Sequence, residues 1–360
     1  MTTATQHIST LPGAPSRRGL RVWDGLGTTL VNTLAWLLVI VYLLPMLYMV
    51  ATAFKTQEQL TRRDAPPWPA NQITYHYQDK DYVVHYVPTD AGTQEWALVT
   101  KRREYSEFID PAHPEQGLIR WEGYWGSLKA VYEFNLTLDN FLQFGRQASF
   151  TRAIGNSLIV VAIGGIGSVV ASILVAYGFA RFPVPGGRFL FILLIASIML
   201  PEKVTLIPTY FMYTRVLGWN GTWLPLIVPH LFGSAVMIFL LRQNFKSIPK
   251  EIEEAAVLDG AGPLRVLTSI ILPQAVPTVI TVALLQFFYF WNETRFASLY
   301  LGVAPERHTL SFWLQNYGFL GNAFNQLQAV ALLVMAVPII GLFLSQRFFM
   351  QGVLVTGSEK

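Results

Sequence analysis

The sequence predicts an all-α polytopic membrane protein with six transmembrane helices, a short cytoplasmic helix between two of them, and a small β-rich extracytoplasmic insertion. Three observations lead there. Hydrophobic residues fill 52% of the 360 positions and charged residues only 13%, about half the charged share of an average soluble domain. Six stretches approach the ~20 mainly apolar residues that a bilayer crossing needs. One long segment, 55–149, instead mixes charges of both signs with alternating β-formers.

In chain order, residues 1–28 form a polar N-terminal segment carrying Arg17, Arg18 and Arg21. The apolar run behind it, Thr29–Phe54, is too long for a signal-peptide core and lacks a clean small-residue cleavage site, so it reads as a retained first span. In the insertion, "APPWPAN" reads as a stiff, extended connection. "DYVVHYVP" and "EWALVTKRR" read as strands bounded by Pro, Asp and Gly. Residues 150–350 form a five-helix core with spans at Ile154–Ala180, Phe189–Tyr213, Trp223–Leu241, Val276–Trp291 and Leu327–Phe349. The third is interrupted by Pro201, Glu202 and Lys203, and the fifth is short unless it extends to about Tyr300. Gly164, Ser168, Ala171 and Ser172 make a small-residue stripe on the second span, the pattern that lets helices approach closely. A tail, 351–360, closes the chain.

Orientation follows from the short loops. With the N-terminus inside, the inner side collects Arg17, Arg18, Arg21, Arg181, Arg188, Arg242, Lys246, Lys250, Arg265, Arg347 and Lys360, and the short outer loops hold only Arg215, Arg295 and Arg307. Lys203 is ambiguous. This asymmetry places both termini in the cytoplasm.

The loop 249–273 then lies inside. Pro249 suits a first helical turn, and Glu251, Glu253 and Glu254 favour the positive end of the helix dipole. Gly260 can take the left-handed conformation that ends a helix. Ile252, Ala255 and Ala256 share one face. Four acids with few large apolar groups differ from the Lys/Arg-rich composition of surface-lying helices, so the helix reads as one that fits a groove on a partner chain.

Several functions are excluded or unsupported. There are no cysteines, which removes disulfides and thiolate metal sites. His76 and His85 lack a metal-binding spacing. No Lys/Arg-dense tract indicates nucleic acid. No nucleophile arrangement supports an enzyme, and no G-x-x-x-x-G-K-[ST] cradles ATP phosphates; no catalytic or metal residue is therefore assigned. An ion-coupled secondary transporter would show interrupted spans in matching halves, and no second copy of the loop spacing is present.

Polar groups at membrane depth remain open. Glu202 and Lys203 either line a pathway or mark the outer interface. Trp291, Asn292 and Glu293 combine an aromatic face with amide and carboxylate groups, a chemistry compatible with sugars, or else form an interfacial belt. Asn156, with Ser157, serves either a substrate contact or an interhelical hydrogen bond.

Glu254-Ala255-Ala256, three residues, Gly260, nine residues, then Ile270-x-Leu272-Pro273 resembles the EAA loop of ABC importer membrane subunits. "FTRAIGNSLIV", "ARFPVPGGR", "FLLRQNFKSIP", "WNE" and "QRFFMQGVLVTG" resemble segments of the maltose-type carbohydrate permeases. The likeness covers roughly Val31–Trp68 and Thr137 to the end, and breaks at Ala70–Leu136. It implies that Glu254, Ala255, Ala256, Asp259 and Gly260 form a coupling helix seated in a cytoplasmic ATPase subunit. Two such ATPase subunits would bind the ATP and magnesium, with no cofactor in this chain. A second, homologous permease, an extracytoplasmic solute-binding protein and membrane lipid complete the implied partners, in a bacterial or archaeal inner membrane. The implied solute is a sugar or oligosaccharide; a polyol or glycerol phosphate is the alternative within the same class.

Overall fold

A computed structural model describes residues 17–90, 92–319 and 323–356. The first sixteen residues of the expected N-terminal segment, and Lys360, lie outside the described residues. Two compact units divide at Ala51. The first contains most of a 37-residue helix, Arg17–Ala53, whose Leu, Val, Ile and Trp side chains from Leu30 to Leu47 are exposed, as a lipid-facing helix requires.

In the second unit, the helices long and apolar enough to cross a membrane are Ala148–Arg181, Leu224–Ser247 and Phe324–Phe348. With Thr28–Ala53 they make four among the described residues, or six if each of two bent pairs is one crossing. The first pair, Gly187–Ile198 and Lys203–Val216, bends by 98°. The cause is Pro201, whose backbone is extended (φ −64°, ψ 124°) where it caps the second limb; proline has no N–H to continue the ladder. Lys203 opens that second limb and is exposed. The second pair, Pro263–Gln274 and Val276–Trp291, bends by 88°. The extension to Tyr300 does not form: the helix stops at Trp291 and a separate helix begins at Arg295. The extra length lies on the N-terminal side instead, where the apolar Leu264–Leu272 is helical.

The fourth element also departs from a plain helix. A 3₁₀ turn, Val228–Phe232, ends at Gly233 with φ +89° before the helix Ala235–Ser247. Glycine is required there twice over, by its φ and because a Cβ would lie 3.2 Å from Ser172 Oγ and Ile238 Cδ1. The Ser234 N–H, freed by the break, donates to Ser172 Oγ at 3.0 Å. The small-residue stripe thus works inside the subunit. Ser168 and Ser172 are fully buried, and Gly164 lies directly beneath the Phe290 ring. A π-helical turn, Val161–Ile166, coincides with this contact.

The insertion is a sheet lobe. Strands β1 (Ala70–Gln72) and β8 (Tyr132–Phe134) pair antiparallel at its base. Above them β2 (Thr74–Tyr77), β3 (Lys80–Thr89), β4 (Gly92–Lys101), β5 (Tyr105–Ile109) and β6 (Leu118–Glu122) follow one another in an antiparallel meander, with β7 (Lys129–Ala130) on β3. The β2–β3 hairpin turns on Gln78 and Asp79, both at positive φ, the geometry that matches strand twist in a two-residue loop. Val84, Ala97, Ile109 and Val131 fill one face of the sheet, and Val87, Leu98 and Phe108 the other.

A polar knot ties the lobe to the helices. Asn140 Nδ2 donates to the carbonyls of Ala53 and Lys55, both at 2.8 Å, and Asn325 Nδ2 donates to the Lys55 carbonyl and to Asn140 Oδ1. Gln59 Nε2 holds the Trp68 carbonyl at 2.7 Å, so the proline-rich connection is clasped along its length.

The Gly164–Phe290 contact leaves no room for a side chain: a Cβ would sit 2.5 Å from the ring. Gly164→Val should lower stability by ~2 kcal/mol or more through overpacking, read as a reduced apparent Tm of the detergent-purified chain. An unchanged Tm would mean that the two helices separate freely.

Candidate functional site

The loop 249–273 is built from its caps inward. Pro249 precedes the helix Lys250–Leu258 as its N-cap, one position earlier than the first-turn place expected for it. At the other end Gly260 takes φ +83°. Its N–H donates to the Val257 carbonyl and that of Ala261 to the Ala256 carbonyl, each at 2.9 Å. Those two bonds are the Schellman closure of a helix C-terminus. The helix therefore ends by its own chemistry.

Its inward side is held by the end of the helix Ala148–Arg181. Arg181 forms an ion pair with Glu253, their side chains only 6% and 14% exposed. Arg181 also donates to the Ile248 carbonyl at 2.8 Å, and the Tyr177 hydroxyl donates to the Pro263 carbonyl at 3.2 Å. The segment 248–263 is thus clasped at both ends by one helix. Burial pushes the Glu253 carboxyl up from its ordinary range, and Arg181 and Lys250 pull it back only in part. Ala256 and Ala261 pack on the core formed by Ala176, Tyr177, Leu241, Phe245 and Ile271.

The outward side is free. Glu254, Ala255, Asp259 and Gly260 are exposed, and Val257 and Leu258 are 59% and 88% exposed. An open cleft of about 550 Å³ runs beside the helix, lined by Arg181, Lys250, Glu253, Glu254, Val257 and Leu258. Four of the five expected coupling residues thus face outward, and Ala256 faces the core. The expected common face of Ile252, Ala255 and Ala256 is split by this rotation. Sequence reasoning missed Arg181 as the anchor; its signal was an arginine at the end of a span with no acid nearby in sequence, Glu202 being the nearest.

The second candidate group is scattered. Trp291 is 2% exposed, stacks on Phe287 and donates its indole N–H to the Val334 carbonyl at 3.0 Å. Asn292 is exposed and bonds back to the Phe288 carbonyl of its own helix. Asn156 donates to the carbonyls of Glu306 and His308, each at 2.9 Å, and Ser157 Oγ accepts from the Leu310 N–H. Those two side chains fasten the 305–310 segment, the interhelical alternative. Glu293 lines a cavity of about 210 Å³ together with Thr209, Tyr213, His230, Tyr289 and Phe296. One Glu293 oxygen accepts from the Phe296 N–H at 2.7 Å. His230 and Tyr289 were missed. His230 Nε2 and the Tyr289 hydroxyl are 3.4 Å apart, and an ionisable residue within an apolar span was the signal that could have found them.

Comparison with known proteins gives three likenesses. The family described as "Binding-protein-dependent transport system inner membrane component" matches residues 168–355. The osmoprotective compounds uptake permease protein GgtD of Synechocystis is 31% identical over 258 residues, covering 70% of this chain and 85% of that protein. The alpha-glucoside transport system permease protein AglG of Rhizobium meliloti is 31% identical over 230 residues, covering 62% and 60%. Among solved structures, a bacterial ABC transporter involved in the import of the acidic polysaccharide alginate shares the fold at a TM-score of 0.62 and 18% identity. That match covers 94% of this chain and 99% of the other.

Breaking the Arg181–Glu253 pair would leave a mostly buried carboxylate without its cation, a cost of ~3 kcal/mol. Arg181→Ala should accelerate amide exchange across 250–262 by roughly a hundredfold, and Glu253→Gln, which keeps a polar partner for Arg181, by less. Unchanged exchange would show that the loop is held by its apolar face alone.

Proposed function

This chain belongs to the binding-protein-dependent transport system inner membrane component family, and from that premise we propose that it carries a sugar or a related polyol across the membrane, driven by a separate ATPase. It is an ABC importer permease, a transporter subunit rather than an enzyme. The observation that carries the proposal is the self-capped helix Lys250–Leu258, exposed on the side of Glu254, Ala255 and Asp259 and clamped on the other to the helix Ala148–Arg181. A helix seated in a partner groove on its free side passes any displacement through Arg181–Glu253 into a membrane helix. Rigid elements with buried polar anchors transmit motion because they cannot absorb it locally.

Two ATPase subunits would engage this loop and its counterpart on a second permease, with ATP and magnesium bound by the ATPases. Counting each bent pair as one crossing gives six, with both termini and the loop 249–273 cytoplasmic and the sheet lobe outside. The charge asymmetry of the short loops supports this orientation. AglG, by its name, serves alpha-glucosides and GgtD osmoprotective compounds, which supports a sugar or polyol. The cavity of Glu293, His230 and Tyr289 offers hydrogen-bonding groups beside aromatic faces, the chemistry of neutral hydroxylated solutes. At about 210 Å³ it is below the ~300–1,000 Å³ of a complete small-molecule site, which fits a half-site completed by the second permease.

Glu254→Lys combined with Gly260→Pro should leave membrane insertion intact and reduce ATP-driven uptake to background, because proline holds φ near −65° where Gly260 needs +83°. Copurification of ATPase subunits with the wild type and their loss from this variant completes the test; normal uptake refutes the role.

The lobe is proposed to meet the solute-binding protein. Its ends lie together, the Asn135 N–H donating to the Pro69 carbonyl at 3.3 Å, so a two-residue Asn-Gly turn can replace Ala70–Phe134. The shortened chain should still insert while binding-protein affinity drops at least tenfold, measured on vesicles. Unchanged affinity and uptake would leave the lobe without a transport role.

A further inference from the structure

A second cavity, of about 660 Å³, opens between the hairpin 182–187 and the neighbouring ends of the third and fourth elements. Its wall carries Arg188, Arg242 and Lys246 together with Phe179, Phe182 and Phe191. No carboxylate lines it, and among the described residues none of these three cations has an ion-pair partner. Like charges gathered at one place repel unless an anion joins them. Arg242 is fixed in place: its guanidinium lies 3.9 Å above the Phe191 ring, and its Nε donates to the Phe179 carbonyl at 3.3 Å. Arg188 stands in the first turn of the helix Gly187–Ile198, entered through Gly186 at φ +65°, so the positive end of that helix dipole adds to the field. Lys246 is exposed.

The apolar half of the site is just as definite. Phe182, Val184, Phe189 and Ile192 are 45%, 38%, 64% and 55% exposed, and they continue from the cavity onto the lipid-facing side of the third element. A ligand that satisfies both halves has an anionic head and hydrocarbon tails. A free anion or an acidic peptide would leave the aromatic and aliphatic wall in contact with water.

We infer that the cavity of Arg188, Arg242 and Lys246 binds the phosphate headgroup of an anionic phospholipid. Under the proposed orientation that lipid belongs to the inner leaflet, where basic pockets between membrane helices meet anionic headgroups; this placement rests on the permease topology above, while the binding itself does not. The site flanks Arg181, since Phe179 and Phe182 enclose it in sequence, so an occupant would brace the helix end that clasps the loop 249–273.

The test is native mass spectrometry of the full chain, purified with any subunits that accompany it, after addition of phosphatidylglycerol or phosphatidylcholine at equal concentration. The wild type should retain phosphatidylglycerol about tenfold more than phosphatidylcholine. Arg188→Gln with Lys246→Gln, both exposed positions, should bring the two to parity. Equal retention by the wild type, or a preference that survives in the variant, overturns the site. So does displacement of the phosphatidylglycerol by an equal concentration of inorganic phosphate, which would make the ligand a free anion. Should the variant fail to purify as a single species, the wild-type comparison and the phosphate competition still decide. ATPase copurification is read separately: its absence with the lipid preference intact sinks the importer mechanism and keeps this site, and the converse sinks the site alone.

Discussion

The pairing of Arg181 with Glu253 is the contact on which the rest of the arrangement depends. It joins the end of a 34-residue membrane helix to a short helix that also packs on the body through Ala256. Two charged side chains this deeply placed are costly to desolvate, and such pairs add little net stability compared with apolar packing of the same volume. Their advantage is directional. A guanidinium that also holds the Ile248 carbonyl fixes the angle at which the loop leaves the membrane, where a patch of Ala and Leu would let it slide. The outward side is left with acids, Ala255, the exposed Val257 and Leu258, and a glycine cap.

The membrane part follows a second constraint: backbone polar groups surrounded by hydrocarbon must be satisfied within the protein. Four breaks would violate it if left open, at Pro201, Gly233, Ala275 and Asn292. At two of them the compensation is explicit. Ser172 takes the N–H of Ser234, and the Ser311 hydroxyl donates to the Trp291 carbonyl at the helix end before Asn292. The breaks also make space. The cavity of Glu293, His230 and Tyr289 exists because one helix stops at Trp291 and another opens through a 3₁₀ turn, so the irregular backbone and the hydrogen-bonding side chains arrive at the same place.

The sheet lobe is attached differently. Its own core is small, seven buried apolar side chains split between two faces, and its strands pair as a sequence-local meander. The link to the helices is polar and narrow, concentrated at Asn140, Asn325 and Gln59. Such a joint orients a domain without merging it with the membrane core. The sequence resemblance breaks across this region.

What the sequence determined by itself was whatever local chemistry decides. The apolar runs, the charge asymmetry of the loops, the strand-forming runs Asp81–Pro88 and Glu95–Arg103 (the second overshooting the strand end at Lys101 by two residues), and the Gly260 cap were legible, because hydropathy, alternation and a positive φ act over a few residues. Tertiary structure decided the partners. That Arg181 meets Glu253, that Ala256 turns inward while Ala255 turns out, that Trp291 is core and His230 lines a cavity, all depend on helix rotation and on bends of 98° and 88°. A rotation of one residue, about 100° around a helix, changes which side chain faces the core, and nothing in a span of uniformly apolar residues specifies that angle in advance.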